Sequence, residues 1–174
     1  MILHLPCACH VCYMMSKQAD VLLRQLTYSN EVRTRTVKVL ALSEFLMNEM
    51  EARVHEAEFD EKVLLRRIWV EGVIKYGQQA AEDLLSLRFL FTESGWHAIF
   101  VEHATKWYDQ MTVYKPGDLV VNGHEVAAQA GVKGKWIGII LQQLTIDTAL
   151  GYLANNKHEL LNGALHYAKK WGLS

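Results

Sequence analysis

The sequence has few prolines, no cysteine outside one short segment, and no long apolar run. Only Pro6 and Pro116 are proline, so little interrupts helix formation between them. All three cysteines fall within the first twelve residues, which excludes a disulfide framework spread through the fold. No apolar run reaches the roughly 20 residues that a membrane helix needs. The N-terminus also lacks a basic segment ahead of an apolar core, so we expect a cytoplasmic protein without a membrane partner.

A strong overall charge is also lacking, but the charges are segregated along the chain. The formal net charge is −1, so no global field favours a nucleic-acid ligand. Basic residues outnumber acidic residues between Lys17 and Lys38. Between Glu44 and Glu61 there are seven acidic residues, and Arg53 is the only basic one. From residue 112 to the end, six lysines stand against four acids. The C-terminal region therefore has a modest basic excess.

Apolar residues make up 51% of the 174 residues, and they recur mainly with the period of a helix. The class predicted from this pattern is all-α, a helical array of about eight helices. We predict helices at Lys17–Leu26, Asn30–His55, Asp60–Gly77, Gln78–Phe91, after Ser94, after Gly123, from Gly134, and at Asn156–Trp171.

Two expectations concern side chains of the N-terminal helices. Leu22, Leu23 and Leu26 are expected to face inward from the first helix. Arg66 and Arg67 are adjacent and must point in different directions, so one can be solvated while the other is paired.

The best candidate for a domain boundary is Met111 to Pro116, because Pro116-Gly117 breaks any helix. We therefore divide the chain into an atypical N-terminal segment (1–16), a helical body-like domain (17–111) and a helical tail-like domain (112–174).

A Cys/His cluster lies at the N-terminus, where His4, Cys7, Cys9, His10 and Cys12 crowd together. Thiolate and imidazole are zinc ligands, but a structural site needs four of them held tetrahedrally. The spacing here is too compressed, so no metal site is predicted.

A second motif is the segment from Gly131 to Lys135, which separates a short helix from a longer one. Lys133 and Lys135 flank Gly134 where the second helix presents unpaired backbone N–H groups, which favours phosphate binding. The same residues have structural explanations. Gly131 can cap a helix, Gly138 can permit close helix packing, and lysines are usually solvated.

Three segments of the C-terminal region, 118–126, 131–141 and 151–156, resemble the tail of bacterial class II tRNA nucleotidyltransferases. These are the CCA-adding enzymes and their poly(A) polymerase relatives. Lysines stand at positions 133 and 135, where that family often has proline. Residues 22–30 and 66–87 resemble the helical body of the same enzymes.

The resemblance implies that catalysis belongs to an N-terminal head, in which a Gly-Ser signature and an Asp-x-Asp pair hold metal ions and the triphosphate. This sequence contains neither motif. The resemblance thus implies a body-plus-tail module that binds tRNA or structured RNA, with no catalytic residue, metal or cofactor of its own. The residues expected to contact RNA are Lys115, His124, Gly131, Lys133, Gly134, Lys135 and Lys157.

Two other interpretations stay open. One is a helical protein-interaction or remnant module without RNA binding. The other is a subunit that complements a separately encoded catalytic head or forms a homo-oligomer.

Overall fold

The computed structural model describes residues 8–54, 60–87 and 98–173. All regular elements in these ranges are helical, which confirms the predicted all-α class and the number of helices. No helix within them is long and apolar enough to cross a membrane. The helices are α1 (Ala8–Gln25), α2 (Asn30–Val54), α3 (Glu61–Tyr76), α4 (Gln78–Ser86), α5 (Ala98–Asp109), α6 (Gly123–Ala130), α7 (Lys135–Ala149) and α8 (Lys157–Lys170), with a 3-10 turn at Pro116–Asp118.

Capping side chains and glycines explain where several helices begin and end. The Ser29 hydroxyl accepts from the Val32 N–H at 3.3 Å ahead of α2, and Asp60 accepts from the Lys62 N–H at 2.9 Å ahead of α3. Gly77 has φ of +96° and ends α3, a conformation that favours glycine. These boundaries follow from local chemistry.

Two predicted boundaries differ from the structure. α1 begins at Ala8 rather than Lys17, and α4 ends at Ser86 rather than Phe91. His55, Phe91 and Ser94 lie outside the described residues.

The chain forms two compact units, Met1–Thr105 and Lys106–Ser174. The boundary that we predict between residues 111 and 112 stays a prediction. Each unit is described by itself below.

In the N-terminal unit, α2 packs against α1, α3 and α4. α3 approaches α2 closely at Gly72, where an added Cβ would lie 2.8 Å from Leu42 Cδ1. Trp69 of α3 meets Phe100 edge to face, with ring centroids 5.5 Å apart. The fully buried side chains of α2 and α3 are Leu42, Leu46, Leu65, Ile68, Trp69, Val70 and Val73.

The expected inward position of Leu22 and Leu26 is wrong, because they are 54% and 56% exposed. α1 turns a different face toward α2. Ser16 donates to Glu44 from its backbone N–H and its hydroxyl, both at 3.0 Å, and Asp20 pairs with Arg33 at 2.9 Å. At 100° per residue, Leu22 lies well away from this polar stripe, and Leu26 follows the end of α1.

In the C-terminal unit, α6, α7 and α8 pack against one another. Their apolar faces form the core of this unit and fix the loops between the helices. The buried apolar side chains of these helices include Val126, Ile140, Leu144, Leu160, Ala164 and Ala168.

Candidate RNA interface

The start of α6 is held by a reciprocal pair of hydrogen bonds. Asn122 Oδ1 accepts from the backbone N–H groups of His124 (2.9 Å) and Glu125 (3.1 Å). Glu125 Oε2 in turn accepts from the Asn122 N–H at 3.0 Å. This is a capping box. It leaves the His124 side chain exposed at the beginning of the helix.

Lys157 joins the start of α8 to the start of α6. Its Nζ lies 2.6 Å from Glu125 Oε1. The hydrogen bond from Lys157, with a smaller contribution from the Asn122 N–H, lowers the pKa of the Glu125 carboxyl. Lys157 is therefore exposed but already has a carboxylate partner.

Lys115 lies at the 3-10 turn, with its Nζ 4.0 Å from Asp118 Oδ1 and its side chain 74% exposed. Asp118 Oδ2 also accepts from the backbone N–H groups of Tyr114 at 2.8 Å and Lys115 at 3.1 Å. The carboxylate is thus committed mainly to the turn, and the ammonium group extends into solvent.

Asn155 ties this turn to the loop before α8. Its Nδ2 donates to the Asp118 carbonyl at 2.9 Å, and its Oδ1 accepts from the Val120 N–H at 3.0 Å. Lys115, His124 and Lys157 therefore belong to one end of the unit. No sequence pattern singled out Asn155 as the residue that connects them, although it lies in the 151–156 segment.

The loop between α6 and α7 has a different construction. Gly131 has φ of +68° and ends α6, with its N–H donating to the Ala127 carbonyl at 3.0 Å. Val132 is buried and anchors the loop. Gly134 then has φ of +60° and immediately precedes α7, and no side chain in the described structure caps α7 there.

Lys133 and Lys135 are both exposed on this loop. Lys135 Nζ lies 5.3 Å from the centre of the Trp136 ring. The described part of the chain places no carboxylate within ion-pair distance of either lysine. This distinguishes them from Lys115 and Lys157, which have acidic neighbours.

The predicted contact residues therefore form two groups. Lys115, His124 and Lys157 lie near the start of α6, and the segment 131–135 follows its end. The eight residues of α6 span about 12 Å along its axis. We describe these groups as the α6-start group and the 131–135 loop.

The expectation that Gly138 permits close packing of helices is wrong. An added Cβ at Gly138 would meet nothing within 4 Å, so Gly138 does not serve close helix packing. Gly163 of α8 has that role instead, since its added Cβ would lie 2.9 Å from Leu144 Cδ2.

Within the part of the chain that the structure describes, no group of three or more His, Cys, Asp or Glu side chains could hold a metal ion. His4 and Cys7 lie outside the described residues, and the side chains of Cys9, His10 and Cys12 are not described. The interpretation of the N-terminal cluster stays a prediction.

Comparison with known proteins identifies the family. Residues 7–164 match the sequence profile of a family described as "tRNA nucleotidyltransferase domain 2 putative". This match covers most of the chain. The chain belongs to this family.

Two relatives are each named "CCA-adding enzyme", one from Limosilactobacillus reuteri strain DSM 20016 and one from L. reuteri subsp. reuteri strain JCM 1112. Each is 36% identical to this family member over 86 residues, which is 49% of the chain and 20% of the relative. The chain thus aligns with one fifth of the length of these relatives. No solved structure matches it at a significant level.

Proposed function

We propose that this chain binds tRNA or another structured RNA through the C-terminal unit and does not itself add nucleotides. The observation that carries the proposal is the 131–135 loop. Lys133 and Lys135 are exposed and outside any described ion pair, and they flank the uncapped start of the 15-residue helix α7. Membership of the tRNA nucleotidyltransferase family supports tRNA as the ligand.

The physical argument rests on helix α7. The first backbone N–H groups of a helix point outward and carry the positive end of the helix dipole, which favours a bound anion. The lysines on either side of Gly134 add two positive charges to the same place. Structured RNA is recognised largely through its phosphates and 2′-hydroxyls, so a rigid helix start with lysines is a suitable contact.

The α6-start group would contribute a second, weaker contact. Lys157 is neutralised by Glu125, and Lys115 lies near Asp118, so neither ammonium group offers a full uncompensated charge. His124 offers an exposed hydrogen-bonding ring. We infer that this group positions the RNA, whereas the 131–135 loop provides most of the electrostatic attraction.

The cytoplasm, where tRNA is processed, is the proposed location, in agreement with cysteines confined to the N-terminus. A separately encoded catalytic head is a natural further partner for a chain of this family. A protein-interaction role without RNA is the competing function, and the binding experiment decides between them.

The experiment is a salt titration of tRNA binding with the Lys133→Ala/Lys135→Ala variant. Each lost phosphate contact flattens the salt slope by about 0.7–0.9, so the double variant should bind more weakly and show a slope lower by roughly one to two. Thermal stability should hardly change, because both side chains are exposed.

The matched control is Lys169→Ala/Lys170→Ala. These lysines are exposed in the last turn of α8, so the change removes the same charge from the same unit. We expect the control to retain most of the parent's slope. Equal binding by the 131–135 variant and the parent across the titration would exclude the loop from the RNA site.

Nucleotide addition has its own assay. We expect the purified chain to leave a tRNA that lacks its 3′ end unextended in the presence of CTP, ATP and Mg²⁺, because the sequence has no Asp-x-Asp pair. Reproducible extension by a preparation free of host enzyme would contradict this.

A further inference from the structure

The C-terminal half of α1 turns a polar side toward α2 and an apolar side toward solvent. Ser16 and Asp20 contact α2 through hydrogen bonds and an ion pair. At 100° per residue, a different set of side chains lies on the opposite side of the helix. These are Gln18, Val21, Leu22 and Gln25, and all four are exposed. An amphipathic helix normally buries its apolar side, so this exposed side calls for a partner.

Exposed apolar side chains are concentrated where α1 meets α2. Ten large apolar side chains are exposed among the described residues, and five of them lie between residues 21 and 32. We call these five the α1–α2 patch: Val21, Leu22, Leu26, Tyr28 and Val32. Single exposed apolar residues are normal on a protein surface, whereas a group of neighbours marks an interaction site.

The turn between the two helices holds this patch in a defined conformation. The Tyr28 N–H donates to the Leu23 carbonyl at 3.2 Å, and the Thr27 N–H donates to the Arg24 carbonyl at 3.1 Å. Thr27 has φ of +58°, a left-handed conformation that is rare for a β-branched residue. Leu26 and Tyr28 therefore project from an ordered turn, which lowers the entropic cost of docking a partner there.

The size of the patch matches the requirement of a small dimer interface. Its five side chains are each 44–56% exposed. Together they form an apolar surface on the order of 400 Å², within the range in which the largest patch on a monomer is often functional. Pairing two such patches, with the polar side chains at their rims, would bury roughly 1,000 Å² in total. That is about the minimum for a specific interface.

The charges around the patch favour an antiparallel arrangement of two copies. The exposed side of α1 carries no charge of its own, and Arg24 at its edge is paired with Asp20 at 2.9 Å. Lys17 lies toward one end of the patch. Glu31 lies at the other end, is exposed, and has no ion pair among the described residues. A parallel pair would place the two Lys17 side chains at the same level, whereas an antiparallel pair brings each Lys17 toward the Glu31 of the other copy.

We propose that the α1–α2 patch binds a second copy of this chain, with the two α1 helices antiparallel about a two-fold axis. The same patch is used by both protomers, as in any isologous interface. The limited area indicates a weak dimer with a dissociation constant in the micromolar range. The proposal does not depend on RNA binding by the 131–135 loop.

The first experiment is sedimentation equilibrium of the full chain at concentrations from about 1 to 300 µM, which bracket a micromolar dissociation constant. The average mass of the parent should rise from that of one protomer toward that of two. Leu22→Glu places a charge in the apolar contact and should raise the dissociation constant at least about 10-fold. Leu26→Glu is a second variant of the same kind. Both positions are more than half exposed, so the monomer should stay folded, as circular dichroism would verify.

The matched control is Val63→Glu. Val63 is 48% exposed in the first turn of α3, which follows the far end of the 25-residue helix α2, about 37 Å from its start. This variant introduces the same charge in the same unit and should dimerise like the parent. A parent that stays monomeric throughout, or dimerisation of Leu22→Glu and Leu26→Glu as tight as the parent's, would overturn the proposal. A monomeric parent whose tRNA binding is weakened by Leu22→Glu would assign the patch to RNA instead.

The second experiment tests the orientation of the helices by exchanging charges. Glu31→Lys should raise the dissociation constant of the dimer by about 2- to 5-fold at low salt, as expected for a contact at the rim. Lys17→Glu combined with Glu31→Lys restores opposite charges and should return the dissociation constant toward that of the parent. No effect of the single change, or no restoration by the double change, would exclude the antiparallel arrangement.

Discussion

Lys157 Nζ lies 2.6 Å from Glu125 Oε1, and this ion pair connects the first turn of α8 to the first turn of α6. Glu125 also accepts the Asn122 N–H through its other carboxylate oxygen. One carboxylate thus stabilises the start of α6 and neutralises a lysine that the sequence suggested for RNA contact.

Removing the charge of Glu125 should strengthen RNA binding. In Glu125→Gln, Lys157 loses its carboxylate partner, and a negative charge disappears from the proposed RNA surface. We expect tighter tRNA binding at low salt and a steeper salt slope, measured by the same titration as for the lysine variants.

The control for this prediction is Glu159→Gln. Glu159 lies in the same turn of α8 as Lys157, but its Oε2 accepts the Ala154 N–H. A similar increase in tRNA affinity in both variants would indicate a general effect of removing a negative charge. Weaker binding by Glu125→Gln would show that the capping role of Glu125 outweighs the release of Lys157.

Tyr167→Phe should destabilise the C-terminal unit. Asp147 is only 6% exposed, and its carboxylate accepts from Gln143 Nε2 at 3.0 Å and from the Tyr167 hydroxyl. Loss of the hydroxyl deprives a buried carboxylate of one donor, which should lower the free energy of unfolding by about 1–3 kcal/mol in urea denaturation. Tyr152→Phe is the control, because Tyr152 is 58% exposed and its change should stay within about 0.5 kcal/mol. Equal stability of both variants would exclude a role for the Tyr167–Asp147 contact.

Two glycine-to-alanine changes should have opposite effects. At Gly163 the new Cβ would lie 2.9 Å from Leu144 Cδ2 and 3.1 Å from Leu153 Cδ1. Leu144 is fully buried and has little room to move, so overpacking should cost about 1–3 kcal/mol and exceed the gain in helix propensity. At Gly138 the space is open, and alanine should stabilise α7 by about 0.5–1 kcal/mol. Thermal unfolding of the two variants gives the comparison, and the same sign for both would contradict the packing described here.

The pair formed by Arg35 and Asp83 should make stability depend on pH. Arg35 Nε and Nη2 each donate to the Asp83 carboxylate at 2.5 Å. This hydrogen bonding lowers the pKa of Asp83 from its usual value. Because the folded-state pKa is depressed, the stabilisation is present above the unfolded pKa of about 3.9 and is lost as pH falls through the folded value.

The measurement compares melting temperatures of the parent and Asp83→Asn at neutral and strongly acidic pH. The parent should be more stable at neutral pH, and the difference should shrink in acid. Asp109→Asn changes an exposed carboxylate at the end of α5 and should show little pH-dependent difference. A constant gap between parent and Asp83→Asn at all pH values would exclude the pair as its cause.

Local chemistry in the sequence determined the helical class and most helix ends. Ser29, Asp60, Asn122 and Asn156 are capping residues, and Gly131 favours the left-handed conformation that ends a helix. These signals act over a few residues, so they can be recognised without knowing the fold. The exposed lysines of the 131–135 loop were found in the same way, because a helix start is also a local feature.

Only the tertiary structure decided which faces of the helices pack against one another. α1 contacts α2 through Ser16 and Asp20, whereas Leu22 of α1 and Leu26 just after it are exposed, which the apolar pattern did not indicate. The pairing of Lys157 with Glu125 and the burial of Arg66 Nε also depend on residues or helices distant in sequence. Periodicity shows that a helix has an apolar side, but charge partners and burial depend on what packs against it, because electrostatic and desolvation energies are set by the neighbours in space.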